Sequence, residues 1–239
     1  MHVSLFIPCL TDQFFPEVGI ATFKLLRKFG AKVDYPEAQT CCGQPAFNSG
    51  YRDDARLLAE RFLKIFASSQ YIVAPSGSCV GMVKKFYEYL NLSSSSSDLL
   101  REIQGKLFEL SEFLVDVLHV EKTGALFPHK VTYHDSCHLL RELQIAEAPR
   151  RLIKNVDGIQ CYEMPESNRC CGFGGTFAIK FPELSVAMGE DKVNAIVGSG
   201  AEYVIADDSS CLMHIEGMMR RRSITIKTMH IAQLLVQGW

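Results

Sequence analysis

Short apolar runs alternate along the chain with longer stretches in which apolar residues return every three or four positions, and the whole alternation is written twice. The runs "VSLFIPC" and "VTYHDSC" read as strands entering a loop, and so do "YIVAPSGSC" and "YVIADDSSC". Between them lie helical patterns. In "ARLLAERFLKIF" Leu58, Phe62, Ile65 and Phe66 recur at helical spacing, and "LSVAMGEDKVNAIV" takes the same place in the second half. A further run precedes each double cysteine, "AKVDYPEAQTCC" and "GIQCYEMPESNRCC", where proline ends it as a loop. Strands alternating with helices predict an α/β fold of two pseudo-symmetric repeats, each a largely parallel sheet flanked by helices.

The cysteines carry the same register. Cys9 falls on Cys137, Cys41 and Cys42 on Cys170 and Cys171, and Cys79 on Cys211, at offsets of 128, 129, 129 and 132 residues. Eight of nine cysteines therefore repeat, which random placement would hardly produce. The closing segments "KLFELSEFLVDVL" and "TIKTMHIAQLLVQ" match at an offset near 119. Much of that drop is explained by the serine run "LSSSSSD" at 92–98, read as a flexible loop insertion. The pattern breaks again at "EKTGALFPHK", which divides the chain into a first cysteine-rich repeat over 1–125 and a second over 126–239.

With 239 residues and 47% hydrophobic content the chain is long enough for a real core. Its 25 basic and 27 acidic side chains give a net charge of −2, so no overall field recommends nucleic acid or an anionic membrane. No segment is long and apolar enough to span a bilayer, and "MHVSLFIPCL" lacks the basic start of a signal peptide, so a cytoplasmic location is expected. In a reducing compartment thiols serve catalysis, redox sensing or metal binding rather than a disulfide framework. Neighbouring Cα atoms lie about 3.8 Å apart, below the usual disulfide range, so Cys41 is not expected to bond Cys42.

Halves that fold alike gather four sulfurs each at the strand ends: Cys9, Cys41, Cys42 and Cys79, then Cys137, Cys170, Cys171 and Cys211. Four thiolates suit an iron–sulfur cluster or a structural zinc. Zinc usually takes tight C-x-x-C pairs, which are absent, so the spacing leans towards a cluster without settling the choice. The glycines behind each pair, Gly43 and then Gly172, Gly174 and Gly175, let backbone N–H groups approach sulfur. Cys161 answers to Val33 and reads as a small buried hydrophobe. His134, His138 and His230 lie near the motifs but have no histidine counterpart in the first half, so polar loop or core roles are expected. Ser76, Ser78, Asp207 and Asp208 are helix-cap candidates, with Ser76 and Asp208 also weighed as oxygen ligands. "MMRRRS" at 218–223 reads as a solvated helix end ahead of a docking patch, and "GFGG" at 172–175 lacks the dinucleotide spacing, so no NAD or flavin is expected.

The words "CCGQPAFNSGY", "PSGSC", "CCGFGGTF" and "MHIAQLL", with the paired cysteines, resemble the cysteine-rich CCG domain of heterodisulfide reductases and of the glycolate oxidase iron–sulfur subunit, and most closely the lactate utilisation protein A family. The resemblance spans essentially the whole chain. It implies a cytoplasmic iron–sulfur subunit that works beside a ferredoxin-type iron–sulfur protein and a third small subunit to oxidise L-lactate to pyruvate. It makes the eight paired cysteines ligands of one or two clusters per chain, of the [4Fe-4S] kind. The fuller pattern ends in C-x-x-C, whereas this chain has Ser76 and Asp208 at the first position of that pair, leaving cubane, noncubane with oxygen ligation, or open-iron clusters as alternatives. A thiol/disulfide oxidoreductase like the heterodisulfide relative and a zinc-stabilised binding module are the rival functions.

Overall fold

A computed structural model describes residues 1–239. The first half runs β1 (His2–Leu5), α1 (Cys9–Phe14), α2 (Pro16–Lys28), β2 (Lys32–Asp34), α3 (Gln44–Ser49), α4 (Arg52–Phe66), β3 (Tyr71–Ala74), α5 (Gly77–Gly81), α6 (Ser94–Gln104), β4 (Leu107–Glu109) and α7 (Leu110–Glu112). The second runs β5 (Lys130–Tyr133), α8 (Glu147–Lys154), β6 (Gln160–Cys161), α9 (Phe177–Lys180), α10 (Pro182–Gly198), β7 (Tyr203–Ala206), α11 (Ser209–Arg221), β8 (Lys227–His230) and α12 (Ile231–Leu234).

Each half builds one four-stranded, all-parallel sheet, in the orders β2-β1-β3-β4 and β6-β5-β7-β8. The registers repeat as well, with Val3 opposite Tyr71 and Val131 opposite Tyr203. Parallel neighbours need a crossover, and α2, α4, α8 and α10 supply it. In α4 the buried stripe is Ala55, Ala59, Phe62, Leu63 and Phe66; in α10 it is Ser185, Gly189, Lys192, Val193 and Ile196. The expected α/β architecture of two like halves is present.

The halves do not keep separate cores. The largest apolar cluster has 28 buried residues from both, against 18 and 9 in the clusters confined to one half, so the joint is itself core. Val3, Leu5, Phe113 and Leu114 meet Val131, Tyr133, Ile231 and Leu234 there. Gly77 lets α5 approach the helical turn at 138–142, since a Cβ on it would lie 2.7 Å from the Leu139 Cβ.

The serine run corrects an expectation. Residues 92–98 are not a loop insertion, because 94–98 form the opening turns of α6. Ser93 caps that helix by accepting from the Ser96 backbone N–H, and Leu100 and Ile103 anchor it in the core. Serine is a poor interior helix residue but a strong cap, and the apolar positions downstream decide the state.

Candidate metal centre

All eight paired cysteines line one cavity of about 200 Å³ between the two sheet ends. Each set is built alike. Cys9 opens α1, and Cys79 lies in the first turn of α5 as Cys211 does in that of α11. The double cysteines sit on loops ended by a left-handed glycine, φ +85° at Gly43 and +91° at Gly172. That turn aims a backbone N–H at sulfur: Gly43 N donates to Cys41 Sγ and Gly172 N to Cys170 Sγ, both at 3.4 Å. Cys42 and Cys171 point inward and are buried with Cys79 and Cys211, whereas Cys41, Cys137 and Cys170 are half-buried and Cys9 is exposed.

The sulfurs act on one another. Cys42 Sγ lies 3.4 Å from Cys79 Sγ. Hydrogen bonds from Cys42 and Cys9 pull the Cys41 thiol down to about 3, and those from Cys137 and Cys171 pull Cys170 down to about 2. The donors move the opposite way: Cys9, Cys42, Cys137 and Cys171 are all pushed up, chiefly by the bond to the central thiolate. In each half the first cysteine of the pair is the thiol whose ionisation the neighbouring hydrogen bonds favour.

Between the sets, Asp208 ties the halves together. Its Oδ1 caps α11 by accepting from Ser210 N, and its Oδ2 accepts from Ser76 Oγ and Ser78 N, both at 3.0 Å. Burial pushes the carboxyl up, but the bonds from Ser210, Ser78 and Ser76 outweigh it and hold the group below the usual carboxylate range. Ser76 Oγ in turn caps α5 through Cys79 N. The oxygens weighed as metal ligands are therefore spent on caps and on the joint between the halves. Asp207, beside it, accepts from the Tyr133 hydroxyl, and burial pushes it up to about 7.

The histidines separate. His230 caps α12, its Nδ1 accepting from Ala232 N at 3.1 Å while Nε2 meets the Pro75 carbonyl at 3.2 Å. His138 reaches the cavity, 3.6 Å from Cys137 Sγ and 3.2 Å from the Gln44 amide of the other half. His134 is fully buried, and neither ring nitrogen has a hydrogen-bond partner, a state costing about 1–3 kcal/mol per group. A ring nitrogen of His134 and the sulfurs of Cys171 and Cys211 lie within 4.8 Å of one another. Burial pushes that imidazole down to about 4.

Cys161 lies apart on β6, half-buried rather than fully buried, packed against the shared core. The arginines at 220–222 are exposed at the end of α11, where Arg220 pairs with Glu216 and Arg222 donates to Asn194. Sequence reasoning overlooked Gln44 and Lys192. The signal for Lys192 was present, as a lysine on the apolar stripe of α10.

An all-sulfur donor set, backbone N–H groups aimed at sulfur and open space between the sets fit iron–sulfur clusters. A structural zinc would instead be closed over by its four ligands.

The cysteine-rich CCG domain matches residues 3–84 and 131–216, once in each half. Lactate utilization protein A of an Exiguobacterium species is 46% identical over 239 residues, covering 99% of this chain and 98% of that protein. The Bacillus subtilis protein of the same name is 43% identical over 235 residues, covering 98% and 99%. Among solved structures, a hypothetical protein from Helicobacter pylori superposes with a TM-score of 0.68 at 11% identity. That likeness covers 98% of this chain and 48% of the other, so the chain spans about half the length of that protein and shares its fold.

Proposed function

The chain belongs to the cysteine-rich CCG domain family and, within it, to the lactate utilization protein A proteins, and from that premise we propose that it is the iron–sulfur, electron-handling subunit of an L-lactate-oxidising complex. The observation that carries the proposal is the convergence of two four-cysteine sites on one cavity. Oxidation of lactate to pyruvate releases two electrons and two protons, and two one-electron sites in one chain match that count. The ligands are Cys9, Cys41, Cys42 and Cys79 for one cluster and Cys137, Cys170, Cys171 and Cys211 for the other. When bound, the clusters supply one-electron transfer.

The chain's own residues set the conditions. Gly43 and Gly172 donate N–H groups to sulfur, which stabilises negative charge there. Asp208, Ser76 and Ser78 fix the separation of the two sites. Exposed Cys9 marks the open side, where a ferredoxin-type iron–sulfur subunit and a third small subunit would deliver or collect electrons. No helix is long and apolar enough to cross a membrane. The same pair of CCG-type cysteine sets supports a heterodisulfide-type reductase as the second reading.

Anaerobic purification with iron, acid-labile sulfide and zinc counted per chain tests the proposal, with visible spectra before and after dithionite. Iron and sulfide in equal amounts, bleaching on reduction, and partial iron loss in Cys42→Ser and in Cys171→Ser separately are expected. Stoichiometric zinc without sulfide would withdraw the electron-transfer reading. A spectral change with a thiol or disulfide, and none with lactate and the partner subunits present, would move the assignment to the reductase.

A further inference from the structure

The two cysteine sites are framed by the same backbone but not by the same side chains beneath them. Phe6 N donates to Val73 O at 2.9 Å in the first half, and His134 N donates to Ile205 O at 2.9 Å in the second, so Phe6 and His134 occupy one position of the repeat. Gly43 faces Ala55 and Leu58, and Gly172 faces Ser185 and Met188, which puts Phe62 of α4 opposite Lys192 of α10. In the first half the two positions meet as an edge-to-face aromatic pair, with Phe6 and Phe62 centroids 4.9 Å apart. The second half replaces both rings of that pair by nitrogen-bearing side chains.

Lys192 has an account of its own. Its Nζ donates to the Glu166 and Ser167 carbonyls at 3.0 and 3.1 Å, bracing the loop that leads to Cys170. His134 has none. The ring is fully buried, both nitrogens lack a hydrogen-bond partner, and a ring nitrogen shares a space under 4.8 Å across with Cys171 Sγ and Cys211 Sγ. An apolar side chain serves this position in the first half, so packing does not require the imidazole. A buried polar group without a partner calls for an unseen one, and imidazole beside two thiols calls for a metal. The Ser167 carbonyl lies alongside the ring outside hydrogen-bonding geometry. That carbonyl already accepts from Asp135 N and Lys192 Nζ, so it does not satisfy the ring.

Resting on the cluster reading above, we propose that His134 is a nitrogen ligand of the second site, beside Cys171 and Cys211, so that the chain holds one all-sulfur centre and one mixed nitrogen–sulfur centre. Imidazole adds a neutral nitrogen ligand beside the four thiolates of that site, so the two centres differ in ligand field and in reduction potential.

The test is pulsed electron paramagnetic resonance on the full chain, purified without oxygen, partly reduced with dithionite and labelled with 15N-histidine. The expected result is one directly ligated imidazole nitrogen per chain, shifted by the isotope and lost in His134→Phe, which installs the residue the first half already uses. His134→Cys keeps the iron content, removes the nitrogen coupling and lowers the potential of one centre only. The coupling survives in Cys79→Ser, which alters the first site, and in His138→Gln, which removes the other imidazole at the cavity. Iron–sulfur protein with no directly ligated nitrogen, or with a coupling that persists in His134→Phe or vanishes in His138→Gln, would overturn the assignment. Wild-type chain with neither iron nor sulfide would instead overturn the cluster reading, and the nitrogen ligand with it.

Discussion

Gly172→Ala, set against Gly43→Ala and Gly30→Ala, isolates what the glycine behind a double cysteine is for. All three glycines have φ between +85° and +91°, so each alanine meets a similar backbone penalty. That penalty is about 1–2 kcal/mol, offset by about 0.4–1 kcal/mol from the less flexible unfolded chain, for a net loss of about 1 kcal/mol. Space separates them. At Gly30 nothing lies within 4 Å of the new Cβ; at Gly43 the Ala55 carbonyl oxygen is 3.3 Å away; at Gly172 the Ser185 carbonyl oxygen is 2.6 Å away and the Met188 Cβ 3.0 Å. The last contact is with the backbone of α10, which cannot swing aside, so overpacking adds about 1–3 kcal/mol. Gly172→Ala also strains the bond from Ser185 Oγ to the Gly172 carbonyl, 2.8 Å long. Expected losses are about 1 kcal/mol for Gly30→Ala, about 1–2 for Gly43→Ala and about 3 for Gly172→Ala. Urea unfolding of the reduced, metal-free proteins followed by circular dichroism measures them. Equal losses in Gly30→Ala and Gly172→Ala would refute the reasoning, because conformation alone would then account for both.

Asp207 and Arg150 give two further expectations. Burial raises Asp207 to about 7 from an ordinary 3.8, so the folded state holds a proton that the unfolded state has released, and stability falls as pH rises through that window. Asp207→Asn should match the wild type near pH 4 and exceed it at pH 8 by up to about 4 kcal/mol, read from urea midpoints against pH; a constant difference would exclude the linkage. Arg150 pairs bidentately with the nearly buried Asp135 at 2.7 and 2.8 Å, so Arg150→Ala should cost about 3–5 kcal/mol at pH 7 by leaving that carboxylate unpaired. A loss below about 1 kcal/mol, the value of a surface pair, would contradict it.

What the sequence disclosed followed from periodicity. The strands at 71–74 and 203–206, the helices α4 and α10 and the register of the eight cysteines are repeated signals, and each repeat checks its partner. The joint between halves was not legible, because Phe113, Leu114, Ile231 and Leu234 carry no mark that says which sheet they will cover. The serine run misled through composition, since the cap at Ser93 and the anchors Leu100 and Ile103 outweigh four weak helix formers. His134 lies in the core, within the loop or core roles expected of it, but nothing in the sequence signalled that both its ring nitrogens would lack a partner beside Cys171 and Cys211.

The bond from Ser76 to Asp208 has a meaning for the symmetry of the chain. The two residues hold one position of the repeat, each capping the helix that carries the last cysteine of its set, and they meet at the pseudo-twofold axis. In a dimer of identical subunits a residue on the axis meets its own copy. Two serines would bring no charge to the joint, and two aspartates would bury like charges against each other. A hydroxyl facing a carboxylate there requires the two positions to differ, which a single chain holding both halves permits. The joint is thereby free of self-complementarity, and each sulfur set can carry surroundings the other lacks.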